Sequence, residues 1–315
     1  MKIIFMGTPE FAAYIMEAVA NAGHKIALAV TQCDKPRGRG KKVQFSPVKE
    51  KALELDIPVY QPEKIKRDEC VRELLKYEPE MIVVAAYGQI LPESILTMAK
   101  YGCINVHGSL LPKYRGAAPI QWAIMDGEKE TGVTTMKMDA GIDTGDMIDK
   151  VVVPIAKEET AETLYDKLMR AGAPLLLETM EKLEKGSAVF TKQNDIKQEK
   201  DDNTYAKILK KEMGKIDFSM PAEKIERLIR GLNPWPTAYT SYQGKTLKIW
   251  KAFVKEEEAA GEFGEIIEVA KDSFSVKTGK NLLCITELQM EGKKRMDTRA
   301  FLSGIRLETG EKLGN

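Results

Sequence analysis

Apolar positions recur along this chain with two different periods. Short apolar and β-branched runs at Lys2–Met6, Ile26–Thr31, Met81–Ala86 and Cys103–Val106 read as buried strands. Between them, over Phe11–Ala22, Pro47–Leu55 and Asp68–Tyr77, apolar residues return at three- and four-residue spacing, which predicts amphipathic helices. Strands alternating with helices imply an α/β fold with a doubly wound, mostly parallel, Rossmann-like sheet, because parallel strands need crossover helices. A longer helical pattern runs from about Thr160 to Leu183.

The pattern then fails. Between Lys192 and Asn203 the chain turns polar and loses its apolar period, which marks a linker over residues 190–204. The expected organisation is a catalytic domain over 1–189 and a second domain over 205–315. Short strand candidates in the latter, at Lys245–Ala252, Glu265–Val269, Ser273–Lys277 and Leu282–Gln289, are separated by Gly, Asp and Asn turns. Some five such strands predict a small β-barrel, since closure removes exposed sheet edges.

Composition narrows the picture. At 315 residues and 43% hydrophobic content, the chain is globular and long for a single core. Its formal net charge of +1 gives no global attraction to polyanions or membranes, so any such partner is met by a local patch. The four cysteines, Cys33, Cys70, Cys103 and Cys284, are widely spaced with no Cys-x-x-Cys pair, which suits reduced thiols in a cytoplasmic protein. The opening run from Met1 to Gly7 reads as a strand and turn rather than an export signal, and the longest apolar run falls far short of a membrane span. The turn Gly7-Thr8-Pro9-Glu10 lacks the later glycines of a dinucleotide fingerprint, which argues against a nicotinamide cofactor.

Candidate chemistry gathers at the end of the fourth strand. Asn105 and His107 are two residues apart, so their side chains project to one face, and Gly108 and Pro112 stop the strand beyond them. An asparagine amide can donate to an oxygen gaining negative charge, and a histidine can donate to that oxygen or relay a proton. Asp143, in Gly141-Ile142-Asp143-Thr144-Gly145, is a carboxylate in a glycine-flanked loop, able to orient and charge the imidazole. No serine elbow and no cysteine beside His107 supports a covalent nucleophile, and His24, the only other histidine, leaves no metal triad. The set suits direct attack of an amine on a bound acyl group.

These residues carry a resemblance. Asn105-Val-His107 with Ser109-Leu-Leu-Pro-Lys-Tyr-Arg-Gly116 and Asp143 closely resembles the signature of the 10-formyltetrahydrofolate-dependent formyltransferases. Gly7-Thr-Pro-Glu-Phe11, the basic loop after Thr31-Gln32, Ala117-Ala-Pro-Ile-Gln121 and Asn233-Pro-Trp-Pro236 extend the likeness over almost the whole chain, toward the tRNA-acting branch. The resemblance implies that methionine esterified to initiator tRNA accepts a formyl group from 10-formyltetrahydrofolate, a step of translation initiation. Asn105 and His107 would then bind the formyl oxygen, and Asp143 would support His107 and assist proton removal. The turn Ser109, Leu110, Leu111 and Pro112 would line the folate pocket, and the backbone after Tyr87, at Gly88, Gln89, Ile90 and Leu91, would hold the pterin. No metal is implied.

Asp34–Lys42 packs five cations and two glycines without a hydrophobic anchor, so it is expected to be a mobile loop beside Asn105 on the same sheet edge. Arg37, Arg39, Lys41 and Lys42 could grip phosphates of the acceptor end, giving salt-sensitive affinity. Arg39, Lys41 and Lys42 match the family loop that enters the acceptor stem, whereas Cys33 and Arg37 depart from its commoner proline and alanine. By the same resemblance the barrel is OB-like and adds an electrostatic contact through Lys207, Lys210, Lys211, Lys215 and Lys293-Lys294-Arg295. Trp235 reads as a packing residue rather than a base-stacking platform. A monomer suits a protein that wraps tRNA. Two alternatives remain at this stage: a formyltransferase for a small amine, which leaves the basic loop and barrel without a task, and a catalytically silent tRNA-binding module.

Overall fold

Helices form where the apolar stripe returns every third or fourth residue, and strands where β-branched runs are buried on both faces. The computed structural model describes residues 1–37, 42–196 and 205–314. In chain order the first elements are β1 (Lys2–Gly7), α1 (Glu10–Asn21), β2 (Lys25–Val30), β3 (Lys35–Arg37), β4 (Lys42–Gln44), α2 (Pro47–Glu54), β5 (Val59–Tyr60), α3 (Asp68–Leu75) and β6 (Met81–Ala85). Next come α4 (Glu93–Leu96), β7 (Cys103–His107), β8 (Arg115–Gly116), α5 (Pro119–Asp126), β9 (Glu130–Lys137), β10 (Met147–Pro154), α6 (Ala161–Lys185) and β11 (Tyr205–Ala206). The last are α7 (Ala222–Gly231), β12 (Ala238–Tyr242), β13 (Lys245–Lys255), β14 (Ile266–Val269), β15 (Phe274–Lys277), β16 (Leu282–Met290), β17 (Met296–Asp297) and α8 (Thr298–Gly304).

Seven strands form the main sheet in the order β10-β9-β7-β6-β1-β2-β5. The five from β5 to β7 are parallel, whereas β9 runs antiparallel to β7 and β10 antiparallel to β9. The winding reverses between β1 and β6, and open α/β sheets bind ligands at the carboxyl ends flanking such a point. Helix α1 lies close on this sheet because Gly7 has no side chain. A Cβ there would sit 2.4 Å from the Cβ of Ala12 and 2.8 Å from the carbonyl oxygen of Ala85. Ile4, Met6, Leu28, Val30, Ile82, Val84 and Leu96 build the core on one side of these strands. Cys70, Cys103 and Cys284 are buried and Cys33 is half-buried, all four as free thiols, and burial pushes the Cys103 thiol up to about 12.

The basic segment departs from the expected unanchored loop. Its flanks pair as a hairpin, with Lys35 opposite Gln44, Pro36 opposite Val43 and Arg37 opposite Lys42. Backbone pairing satisfies amide groups that the lack of apolar side chains says nothing about.

Contacts divide the chain into two compact units: Met1–Gly116 with Glu130–Pro154 and Tyr165–Ala206, and Ala117–Lys129 with Ile155–Leu164 and Lys207–Asn315. In the second unit β12-β13-β16-β15-β14 form an antiparallel sheet, with β17 on β16. The C-terminal segment closes it into a small barrel. Leu313 donates its backbone N–H to Gly264 at 2.8 Å and Gly314 donates to Ser241 at 2.8 Å, bridging the β14 end to β12. Ile225 and Ile229 of α7 and Phe301 of α8 fill the barrel interior with Leu247, Ile249, Phe274 and Leu283. Among the described residues, no helix is long and apolar enough to cross a membrane.

Candidate active site

Strand β7 is interior to the sheet, with Asn105 opposite Val84 on one side and Met136 on the other, and His107 opposite Thr134. That position buries both polar side chains, leaving Asn105 7% and His107 6% exposed. A buried polar group costs about 1–3 kcal/mol unless it is hydrogen-bonded, so their partners define the site. Asp143 is the shared partner: Oδ1 accepts from Asn105 Nδ2 at 3.4 Å, and Oδ2 lies 3.7 Å from His107 Nδ1. The three residues singled out in the sequence therefore converge.

The other ring nitrogen fixes the roles of the imidazole. His107 Nε2 is 2.9 Å from the carbonyl oxygen of Tyr114, which can only accept, so Nε2 carries hydrogen and donates. Nδ1 is left as the nitrogen that exchanges a proton, facing a carboxylate just beyond direct hydrogen-bond range.

The carboxylate is held by an ordered loop. Asp143 has a left-handed backbone, φ 54°, and its Oδ2 accepts the backbone N–H of Gly116 at 2.9 Å. Asp139 Oδ1 accepts from Gly141 N at 3.0 Å and Thr144 Oγ1 at 2.7 Å, closing the turn from inside. Gly145 is required by contact, because a Cβ would fall 1.9 Å from the Lys137 carbonyl oxygen. Gln193 then spans the loop, donating through Nε2 to the carbonyls of Asp143 and Gly145, each at 2.8 Å.

The turn after His107 is built by its own polar groups. Ser109 donates through Oγ to the Lys113 carbonyl at 2.7 Å, and Thr134 Oγ1 accepts from Leu111 N at 3.1 Å while donating to the Ser109 carbonyl at 2.7 Å. The Leu111–Pro112 peptide is cis. Leu111 is buried with Met136 and Met147, and Leu110 lies beside Gly132.

At the end of β6, Thr8 Oγ1 and Gln32 Nε2 both donate to the Tyr87 carbonyl, which fixes the start of the Gly88–Leu91 loop. Gln89 is spent on the scaffold, accepting from Ile65 N at 2.8 Å and donating to the Pro62 carbonyl at 3.2 Å, and Leu91 is in the core. Ile90, 76% exposed, presents an apolar face at this edge.

The cationic candidates are placed less fully. Arg37 and Lys42 are paired backbone positions of the β3–β4 hairpin, while Arg39 and Lys41 lie outside the described residues. Asp34, at the hairpin's root, pairs with Lys49 and accepts from Gln61 Nε2 at 2.8 Å. Beside β16, Arg295 pairs with Glu287 and lies over the Trp250 ring, 4.4 Å from its centroid. Trp235 corrects the packing expectation: flanked by cis Asn233–Pro234 and Trp235–Pro236 peptides, it is 58% exposed. A residue between two prolines has few backbone states, so its side chain can be held outward without core support. Sequence reasoning missed Gln193, Thr134 and the Tyr114 carbonyl as parts of the site. Tyr114 lies within the quoted signature, but nothing local marks Gln193 inside a polar stretch.

Comparison with known proteins gives the family. The family described as Formyl transferase matches residues 1–180, and the one described as Formyl transferase, C-terminal domain, matches residues 208–306. A methionyl-tRNA formyltransferase of Agathobacter rectalis is 53% identical over 310 residues, covering 98% of both chains. One from Clostridioides difficile is 49% identical over 314 residues and covers 100% of both. Among solved structures, the sugar 3N-formyl transferase WlaRD shares the fold with a TM-score of 0.66 at 20% identity, over 93% of this chain and 99% of that one. HypX from Aquifex aeolicus, in complex with tetrahydrofolic acid, has a TM-score of 0.63 at 17% identity over 96% of this chain and 47% of its own. With matches that run through both halves and a polar cluster at the carboxyl edge of the sheet, the chain belongs to the formyl transferase family.

Proposed function

We propose that this chain transfers the formyl group of 10-formyltetrahydrofolate to the α-amino group of methionine on initiator methionyl-tRNA, in the cytoplasm. The observation that carries the reading is the convergence of Asn105, His107 and Asp143 at the end of β7, in a chain related over its full length to methionyl-tRNA formyltransferases. The donor is bound as a substrate between the Gly88–Leu91 backbone and the Ser109–Pro112 turn. The amino nitrogen forms a bond to the formyl carbon, and the bond from that carbon to the folate nitrogen breaks with its electron pair. The amine gives up one proton and the folate nitrogen takes one, so no oxidant or reductant is needed.

The tasks divide between the three residues, and His107, whose Nε2–H is engaged by the Tyr114 carbonyl, does not donate to the formyl oxygen as the resemblance implied. Asn105 donates to the formyl oxygen as negative charge builds there, a preorganised contact of the kind that contributes most to acyl transfer. His107 accepts the amine proton at Nδ1 and returns a proton toward the leaving nitrogen, with Nε2 anchored on Tyr114. Asp143 stabilises the imidazolium and holds Asn105 in place. Asn105, His107 and Asp143 carry this chemistry within residues 1–189, with Gln193 bracing the acid's loop from just beyond, while Arg37, Arg39, Lys41 and Lys42 hold acceptor-end phosphates and the barrel over 205–315 adds an electrostatic contact.

The test is single-turnover transfer from 10-formyltetrahydrofolate to methionyl initiator tRNA, with free methionine and an amino sugar nucleotide as parallel acceptors. Transfer to the charged tRNA alone supports the reading. Transfer only to a small amine, or none to any acceptor, overturns it. The Arg39→Ala variant is expected to flatten the salt dependence while folate affinity holds.

A further inference from the structure

We propose that Gln193 is a positioning residue that presets Asp143 for formyl transfer; the claim rests on the reaction proposed above. The segment carrying it runs antiparallel to the end of the Asp143 loop, with Met147 N donating to Thr191 O at 2.9 Å and Thr191 N to Met147 O at 2.8 Å. Gln193 is 3% exposed and its side chain bonds at 2.8 Å to three partners among the described residues: Nε2 donates to Asp143 O and Gly145 O, and Oε1 accepts from Arg115 Nε. The orientation of the amide follows from its neighbours, since an oxygen turned toward two carbonyls would be repelled.

This side chain joins the two halves of the carboxylate's setting. Fixing the carbonyls of Asp143 and Gly145 holds the 143–144 and 145–146 peptide planes, and with the first of them the left-handed conformation of Asp143. Fixing Arg115 holds β8, whose Gly116 N–H donates to Asp143 Oδ2. Gln193 thus ties the backbone of the acid to the strand that binds its oxygen, without touching His107 or the acceptor. Only an amide provides two coplanar donors and one acceptor for this task; a glutamate at 193 keeps Arg115 but turns acceptors toward both carbonyls.

A double-mutant cycle tests it. In the full-length chain, Gln193→Met is expected to lower the single-turnover rate about 100-fold, the scale of a misplacement near 1 Å, with affinities for methionyl-tRNA and folate within about twofold of the parent's. Asp143→Asn keeps a residue that tolerates a left-handed backbone, and adding Gln193→Met to it is expected to cost no more than about twofold further. Gln193→Glu, folded through its ion pair with Arg115, should lose as much rate as Gln193→Met. Hydrogen exchange at the Gly116 amide supplies a readout independent of activity and is expected to quicken severalfold in both Gln193 variants. Equal losses in the parent and Asp143→Asn backgrounds, a parental rate in Gln193→Glu, or unchanged Gly116 exchange each overturns the assignment. An inactive parent chain instead overturns the proposed reaction, while the exchange measurement still decides the positioning claim.

Discussion

Two side chains show how much a single residue decides. Asn105 donates one amide N–H₂ into the site, and removing it as Asn105→Ala takes away a preorganised donor without opening the strand. We expect single-turnover transfer to fall about 100- to 1,000-fold with tRNA affinity retained, measured by rapid quench and by filter binding. Equal loss of binding would contradict the role. Asp34 acts through charge at the root of the β3–β4 hairpin: the Lys49 ammonium and Gln61 amide hold its carboxyl below the usual range. A carboxyl depressed in the folded state contributes stability that is present above its unfolded value, near about 4, and disappears as pH falls through the folded value. Thermal melts from pH 6 to pH 3 should therefore steepen less in Asp34→Asn than in the parent. Parallel slopes for the two proteins would remove the pair from any account of acid stability.

Elements are decided by what packs between them. Gly7 lets α1 approach β1 and β6, and Gly7→Ala forces a Cβ to within 2.4 Å of Ala12 and 2.8 Å of a backbone oxygen. We expect a loss of about 1–3 kcal/mol, read as a lower urea midpoint at unchanged slope. Four of the five parallel strands and helices α1, α2 and α3 were legible because each is a run of one period, whereas the short β5 and α4 were not; the helix expected near Thr160–Leu183 is observed as Ala161–Lys185. The antiparallel additions β9 and β10 were not. Glu130–Lys137 mixes threonine with charged ends, and its place beside β7 comes from pairing across the sheet rather than from local pattern. The β3–β4 hairpin escaped notice for the same reason, since its pairing is carried by backbone groups that every sequence has.

For the molecule as a whole, closure is a tertiary event. The barrel expected from four spaced strand candidates is completed by β12 and by the last residues of the chain, where Leu313 is buried and Gly314 bonds to Ser241. Leu313→Ala is expected to cost the second unit about 2–5 kcal/mol, seen by calorimetry as a lower transition for that unit. An unchanged transition would place the closing contacts outside the cooperative core. Nothing in a six-residue tail rich in glycine and charge identifies it as a barrel edge.

The sequence by itself determined the strand–helix alternation and the pairing of Asn105 with His107 on one face, because periodicity and a two-residue spacing are local properties that side-chain direction converts into faces. It also pointed to the family, since the resemblance rests on a contiguous run from Asn105 to Gly116, and the family match and a full-length relative bear it out. Only the tertiary structure decided which imidazole nitrogen faces Asp143, that Gln89 serves the scaffold, and that Gln193 reaches back fifty positions to clasp the acid's loop. Those contacts depend on where separate segments meet, and a hydrogen bond between distant residues has no signal in either segment alone.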